Sequence, residues 1–293
     1  LGFLWLFQAI SSLIWLWQDS RFPVGQAADH LTRAVRVADV LAHPSLDGLS
    51  RLAAASSGQP PLYYVLTAPL IWIFGSAADA AIFANLGFLA LLLACTYGIA
   101  RLLPWLAGQD VPRSTTARNW PGLAAATALS FFPLVFTYTR QYDPALAAAA
   151  LASLAVWLLL RSGRLSQRRY AVAFGLTAAA GLLTSSLFWA GVLGPALFSA
   201  ALALRAPRPQ LPVRRKPSRN FAEWLARRIR LAPSHWNLLL ALILPALALP
   251  WYAIYPPQAL GAAGAGRGIL WYLSLLDDVL GGFFLLLLIA GLL

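Results

Sequence analysis

Apolar residues run along this chain in long unbroken blocks separated by short gaps rich in arginine. A helix that crosses a membrane needs about 20 such residues, within a range of roughly 17 to 25. Blocks of this kind are residues 1–17, 79–103, 120–138, 144–160, 170–184, 186–204, 236–255 and 279–293, the last incomplete. They predict an all-α, polytopic helical membrane protein with about eight membrane segments in one domain, 1–293. The blocks 170–184 and 186–204 abut at Ser185 and Ser186, which predicts a tight reversal or a broken helix. No internal repeat is visible. The chain opens at Leu1 with no basic flank and stops inside an apolar run, so a fragment cut at both ends is expected, its first block a truncated membrane helix and not a signal peptide.

Residues 60–75 (PPLYYVLTAPLIWIFG) decide the topology, because counting them as a span reverses every later side. The stretch opens on Pro60 and Pro61 and carries Pro69 inside, where proline removes a backbone hydrogen bond and kinks a helix. An interfacial or re-entrant helix is therefore expected. The loops around Arg101 to Arg118, Arg161 to Arg169 and the strongly basic 205–235 then share one side, and positive loops mark the cytoplasm. The first long loop, 18–78, and the short one from Thr139 to Asp143 share the other side, where Asp29 and Asp143 can meet.

Inside that outer loop, residues 27–41 (AADHLTRAVRVADVL) set Leu31, Ala34, Val35, Val37 and Ala38 at helical spacing, with Asp29, Arg33 and Arg36 on another face. This predicts an amphipathic helix lying on the membrane surface. A second short helix is expected over 49–56. Trp15, Trp17, Tyr63, Tyr64 and Trp72 suit an interfacial aromatic belt.

Composition narrows the function classes. Of 293 residues 60% are hydrophobic and 11% charged, against roughly 25% charged in soluble domains. The net charge of +12 does not point to nucleic acid, because the cations sit in gaps between apolar blocks and are not interleaved with exposed aromatics. A single cysteine, Cys95, lies in an apolar block, so no internal disulfide forms. His30, His43 and His235 are scattered, which gives a metal no ligand spacing, and no cofactor is evident. A Gly-rich loop between strand and helix is absent, leaving a soluble-type nucleotide site unsupported. No block holds an ionisable residue in its interior, unlike ion-coupled transporters, so chemistry belongs at the outer interface.

Two carboxylates stand out there. Asp29 opens the amphipathic helix, where it can take a proton from an incoming nucleophile, or simply pair with Arg33 one turn on. Asp143 precedes Pro144 at the mouth of a block, a position that suits either a site or a helix N-cap. Arg33, Arg36, Arg140 and Arg267 can grip a phosphate by paired hydrogen bonds or snorkel to lipid headgroups. Asp277 and Asp278 read as a further acidic pair or as the polar flank of a helix.

The order of these features resembles a known family. A first span is followed by Asp29 and His30 opening an amphipathic helix, a Pro-Pro-Leu-Tyr-Tyr segment ending in Phe74 and Gly75, then Tyr142-Asp143-Pro144 and later Gly181-Leu182-Leu183-Thr184. The chain resembles the GT-C type membrane glycosyltransferases, in the branch of the lipid A aminoarabinose transferases and protein O-mannosyltransferases. The resemblance implies transfer of a sugar from a polyprenyl-phosphate donor to an acceptor glycan, lipid or protein. Transfer would occur on the periplasmic or extracellular face of a membrane, here a bacterial inner membrane. It also implies that Asp29 is the general base, that Asp143 assists, and that the Pro-Pro segment is a juxtamembrane helix.

The substrate-binding set expected around this pair is His30, Arg33, Arg36, Gln59, Tyr63, Arg140, Tyr142 and Arg267. Three positions depart from the family pattern. His30 stands where a second acidic residue is frequent, Gln59 where a basic residue often precedes the Pro-Leu-Tyr motif, and Ser185 where a lysine commonly follows Leu-Thr. Phosphate handling would then shift to Arg33, Arg140 or Arg267. The alternative is a non-catalytic or transport role in lipid-linked sugar handling, as a flippase or assembly subunit.

Overall fold

The computed structural model describes residues 1–19, 25–75, 79–106, 115–163, 165–186, 188–204 and 233–255. Every regular element among them is helical. The chain divides into one compact unit, Leu1–Trp251, and a second, Tyr252–Leu293, of which only residues 252–255 are described. The basic stretch 205–232, Arg267, Asp277, Asp278 and the block 279–293 lie outside the described residues.

The first helix, α1 (Gly2–Gln18), is apolar almost all round, yet the face it buries carries Gln8, Ala9 and Ser12. It leaves Phe3, Leu6, Ile10 and Trp17 exposed, as expected for a helix that meets lipid on its outer side. Next come α2 (Gln26–Ala42), α3 (Gly48–Ala55) and α4 (Leu62–Phe74). Helix α2 is amphipathic as expected: Ala34, Val37 and Ala38 are buried, while Asp29, Arg36 and Asp39 are exposed. Its apolar face packs with Ala55 of α3, Tyr63, Tyr64, Ala68 and Ile71 of α4, and Tyr142 and Ala147 further along the chain. Helix α4 has 13 residues, about 20 Å at 1.5 Å per residue, well short of a hydrocarbon layer of about 30 Å.

Helix α5 (Asp79–Leu106) contains an apolar stretch, Ile82–Leu102, long enough to cross a membrane. Its buried Leu89, Leu92 and Leu93 pack with Ala126 of α6 (Thr115–Ser130), Val135 of α7 (Pro133–Thr139) and Leu146 and Ala150 of α8 (Ala145–Arg161). Residues 120–138, expected as one span, are two helices meeting at 64°. Pro133 explains the break: a residue before proline is driven out of helical conformation, and Phe132 is extended at φ −70°, ψ 125°. Gln8 of α1 compensates for the interrupted ladder, its Nε2 donating to the Ser130 carbonyl at 2.6 Å and to Ser130 Oγ at 3.1 Å.

The chain continues through α9 (Arg168–Thr184), α10 (Phe188–Leu204) and α11 (Pro233–Ile243). A 3-10 turn, Leu244–Ala248, and α12 (Leu249–Ile254) follow. The interruption expected at Ser185 and Ser186 is present: α9 ends at Thr184 with Ser185 extended and its N–H on the Gly181 carbonyl at 2.9 Å, and α10 begins at Phe188. It is tight because Gly181 has no side chain: a Cβ there would run into the Phe188 ring. By length and composition two stretches, Ile82–Leu102 and His235–Ile254, are long and apolar enough to cross a membrane, or three if the bent α6–α7 pair counts as one. Helices α4, α8 and α10 are apolar but shorter.

Candidate functional site

Three local devices bring the polar residues together. The first is the turn after α3. Ser57 N–H bonds the Ala54 carbonyl at 3.1 Å and Gly58 N–H the Ala53 carbonyl at 3.0 Å, the paired closure of a Schellman motif. Ser57 and Gly58 adopt φ of 54° and 74°, and the chain then turns into Gln59 and the two prolines that start α4.

The second device is Asn85, fully buried on α5. Its Nδ2 donates to the Tyr138 carbonyl at 3.0 Å and the Gln141 carbonyl at 2.6 Å, and its Oδ1 accepts from the Tyr63 hydroxyl at 3.0 Å. One side-chain amide therefore ties the turn between α7 and α8 to α4. A hydrogen bond between the Tyr142 and Thr67 hydroxyls adds a second tie between the same two segments. The third device is at α8, where Asp143 Oδ1 accepts the Ala145 N–H at 2.7 Å and so caps the helix.

These ties frame a cavity of about 640 Å³. Gln26, Asp29, His30 and Arg33 line it from α2, Gln59 from the α3–α4 turn, Tyr138 and Asp143 from the α7–α8 region, and Ser185 and Ser186 from the α9–α10 break. Ala145, Ala148, Ala149 and Ala152, one face of α8, form an apolar wall with Phe188 and Gly191 of α10. The cavity thus combines polar and apolar lining. Asp29 and Asp143, distant in sequence, line the same space, and so do His30, Gln59 and Ser185.

His30 belongs to the polar lining. Its Nδ1 is 2.7 Å from the Tyr64 hydroxyl and its Nε2 is 3.9 Å from Asp143 Oδ2. Burial is the main influence on its charge and holds its pKa below the ordinary 6.5, with Arg33 acting in the same direction and Asp143 and Asp29 opposing. Burial raises the Tyr64 hydroxyl above its ordinary pKa, with the Arg33 cation acting in the opposite direction.

Other expected site residues are placed elsewhere. Arg36 is exposed on the outer face of α2. Tyr63 and Tyr142 are buried, and their hydroxyls are taken up by Asn85 and Thr67. Arg140 turns toward α1: its Nη2 donates to the Ser11 carbonyl at 3.1 Å and Ser11 Oγ at 2.8 Å, and its guanidinium lies 3.6 Å from the Phe136 ring centre. Tyr64, Asn85 and the alanine face of α8 were not singled out from the sequence as parts of a site. A polar or small residue inside an apolar block gives no sign of which neighbour it will meet.

Among the described residues no group of three or more His, Cys, Asp or Glu side chains is arranged to hold a metal ion. No family model, no curated protein and no solved structure matches this chain.

Proposed function

We propose that this chain is a membrane glycosyltransferase that moves a sugar from a polyprenyl-phosphate donor to an acceptor at the outer face of a bacterial inner membrane. The observation that carries this reading is the single cavity that Asp29 and Asp143 line together with Arg33 and an apolar helix face. A lipid-linked phosphate sugar needs that combination: a cation for the phosphate, a carboxylate for the acceptor proton and an apolar flank for the lipid.

In this scheme Asp29 takes the proton of the acceptor hydroxyl or amine as the acceptor bonds to the anomeric carbon. The bond from that carbon to the phosphate oxygen breaks, and the lipid phosphate leaves with the electron pair beside Arg33. Asp143 assists at the same centre. Holding both substrates in one cavity supplies much of the rate gain through orientation.

The test is transfer from a labelled polyprenyl-phosphate sugar in membranes carrying Asp29→Asn. Loss of a positioned base lowers the rate by about 10² to 10⁴; undiminished transfer removes Asp29 from the chemistry. The side of the membrane is tested by labelling Asp143→Cys with an impermeant thiol reagent, the native thiol Cys95 being buried. Reaction from the inner compartment alone rules out an outward-facing site.

A further inference from the structure

Tyr64, His30 and Asp143 form a row along the cavity whose spacing favours one arrangement of hydrogen atoms. Asp143 Oδ2 faces His30 Nε2 at 3.9 Å, and a bare ring nitrogen turned toward a carboxylate would set lone pair against lone pair. The ring proton therefore belongs on Nε2. A neutral imidazole with Nε2–H has an accepting Nδ1, so the Tyr64 hydroxyl, 2.7 Å away, is the donor. That leaves the phenol oxygen free to accept, and Arg33 is the cation whose charge acts on this hydroxyl.

We propose that His30 is the positioning residue of this cavity, locked by Tyr64 as the Nε2–H tautomer so that it holds the Asp143 carboxylate turned into the cavity. The row then runs in one sense, from Tyr64 through His30 to the Asp143 anion. Asp143 is held at both oxygens: Oδ1 by the Ala145 N–H and Oδ2 by the field of the imidazole N–H. At 3.9 Å the latter is longer than a hydrogen bond, so Oδ2 can still accept from a ligand hydroxyl that enters the cavity. The charged and titratable groups that act on His30 are Asp29 and Arg33 on its own helix, Tyr64 from α4 and Asp143 from the α7–α8 turn.

The row predicts opposite signs for two substitutions. Tyr64→Phe removes a donor to the neutral ring, which makes His30 easier to protonate by about fivefold, the effect of losing one ordinary hydrogen bond. Asp143→Asn removes the anion that favours the protonated ring and makes His30 harder to protonate. The experiment is NMR titration of the full chain in lipid nanodiscs with ring-15N histidine, the His30 signal being identified by its loss in His30→Gln. His43 and His235 are the other two histidines, and their unchanged signals report an intact fold.

Expected are a pyridine-type Nδ1 and a pyrrole-type Nε2 in the native protein at neutral pH, a rise in the protonation constant in Tyr64→Phe, and a fall in Asp143→Asn. The native-protein nitrogen shifts need no variant at the row itself, so they decide the matter even if Tyr64→Phe does not fold. A pyrrole-type Nδ1, a Tyr64→Phe change of the opposite sign, or an Asp143→Asn titration that does not move overturns the proposal. The use of the row in sugar transfer rests on the proposed function, whereas these titrations need no substrate. A row of the expected sense in a chain that transfers no sugar overturns the transferase reading alone.

Discussion

The Nε2 atom of His30 lies 3.9 Å from Oδ2 of Asp143, although the two residues belong to segments more than a hundred positions apart. That contact places the amphipathic helix α2 against the start of α8, and most of what can be tested about the site depends on it.

Asp143 has two functions that substitution can separate. Its Oδ1 caps α8 through the Ala145 N–H, a role an asparagine oxygen can keep and an alanine cannot. Asp143→Ala should lower thermal stability by about 1 kcal/mol relative to Asp143→Asn, while both should lose transfer activity. Equal melting temperatures for the two variants would mean that the cap contributes nothing.

His30 should make stability depend on pH with a definite sign. Burial holds its folded-state pKa below the unfolded value, so the native state favours the neutral ring. Its contribution is complete above the unfolded pKa, near 6.5, and is lost as pH falls from there through the lower folded value. Melting temperature measured across that window should fall more steeply for the native chain than for His30→Gln. Parallel curves would show that the ring is not desolvated.

Arg140 holds α1 to the end of α7 and is turned away from the cavity, with its guanidinium on Ser11 and over Phe136. Hydrogen bonds to a charged group contribute about 1.5 to 3 kcal/mol, so Arg140→Ala should destabilise the fold by an amount of that order. The affinity for a phosphate-bearing donor should be unchanged in the fraction that stays folded. A large rise in KM with normal melting would instead make Arg140 a donor ligand.

Gly181→Ala should disturb the cavity from outside it. The added methyl meets the Phe188 ring, and Phe188 is part of the cavity wall. Overpacking of this kind costs about 1 to 3 kcal/mol, read as a lower melting temperature, with transfer falling as Phe188 is displaced. An unchanged melt would show that the α9–α10 junction has room to give.

Much of the architecture was legible in one dimension, because membrane-length apolar blocks and a helical apolar stripe are sums over neighbouring residues. The apolar blocks became the helices α1, α5, α8, α9 and α10, of which α5 alone is long and apolar enough to cross a membrane, and the stripe in 27–41 became α2 with Ala34, Val37 and Ala38 buried. The break at Ser185 was visible for the same reason. The bend at Phe132 was not, since a block's mean hydropathy outweighs one proline, although Pro133 was its physical cause.

The site divides in the same way. Asp29 and Asp143 stood out because a carboxylate at the edge of an apolar block is unusual wherever the chain folds. Asn85, Tyr64 and Arg140 took their roles from partners that the order of residues does not specify. Asn85 reaches residues 138 and 141, Tyr64 reaches His30, and Arg140 reaches Ser11. A buried polar group must find a partner, since desolvation is costly if it does not. Its own neighbours announce that need, but helix packing alone selects which distant group meets it.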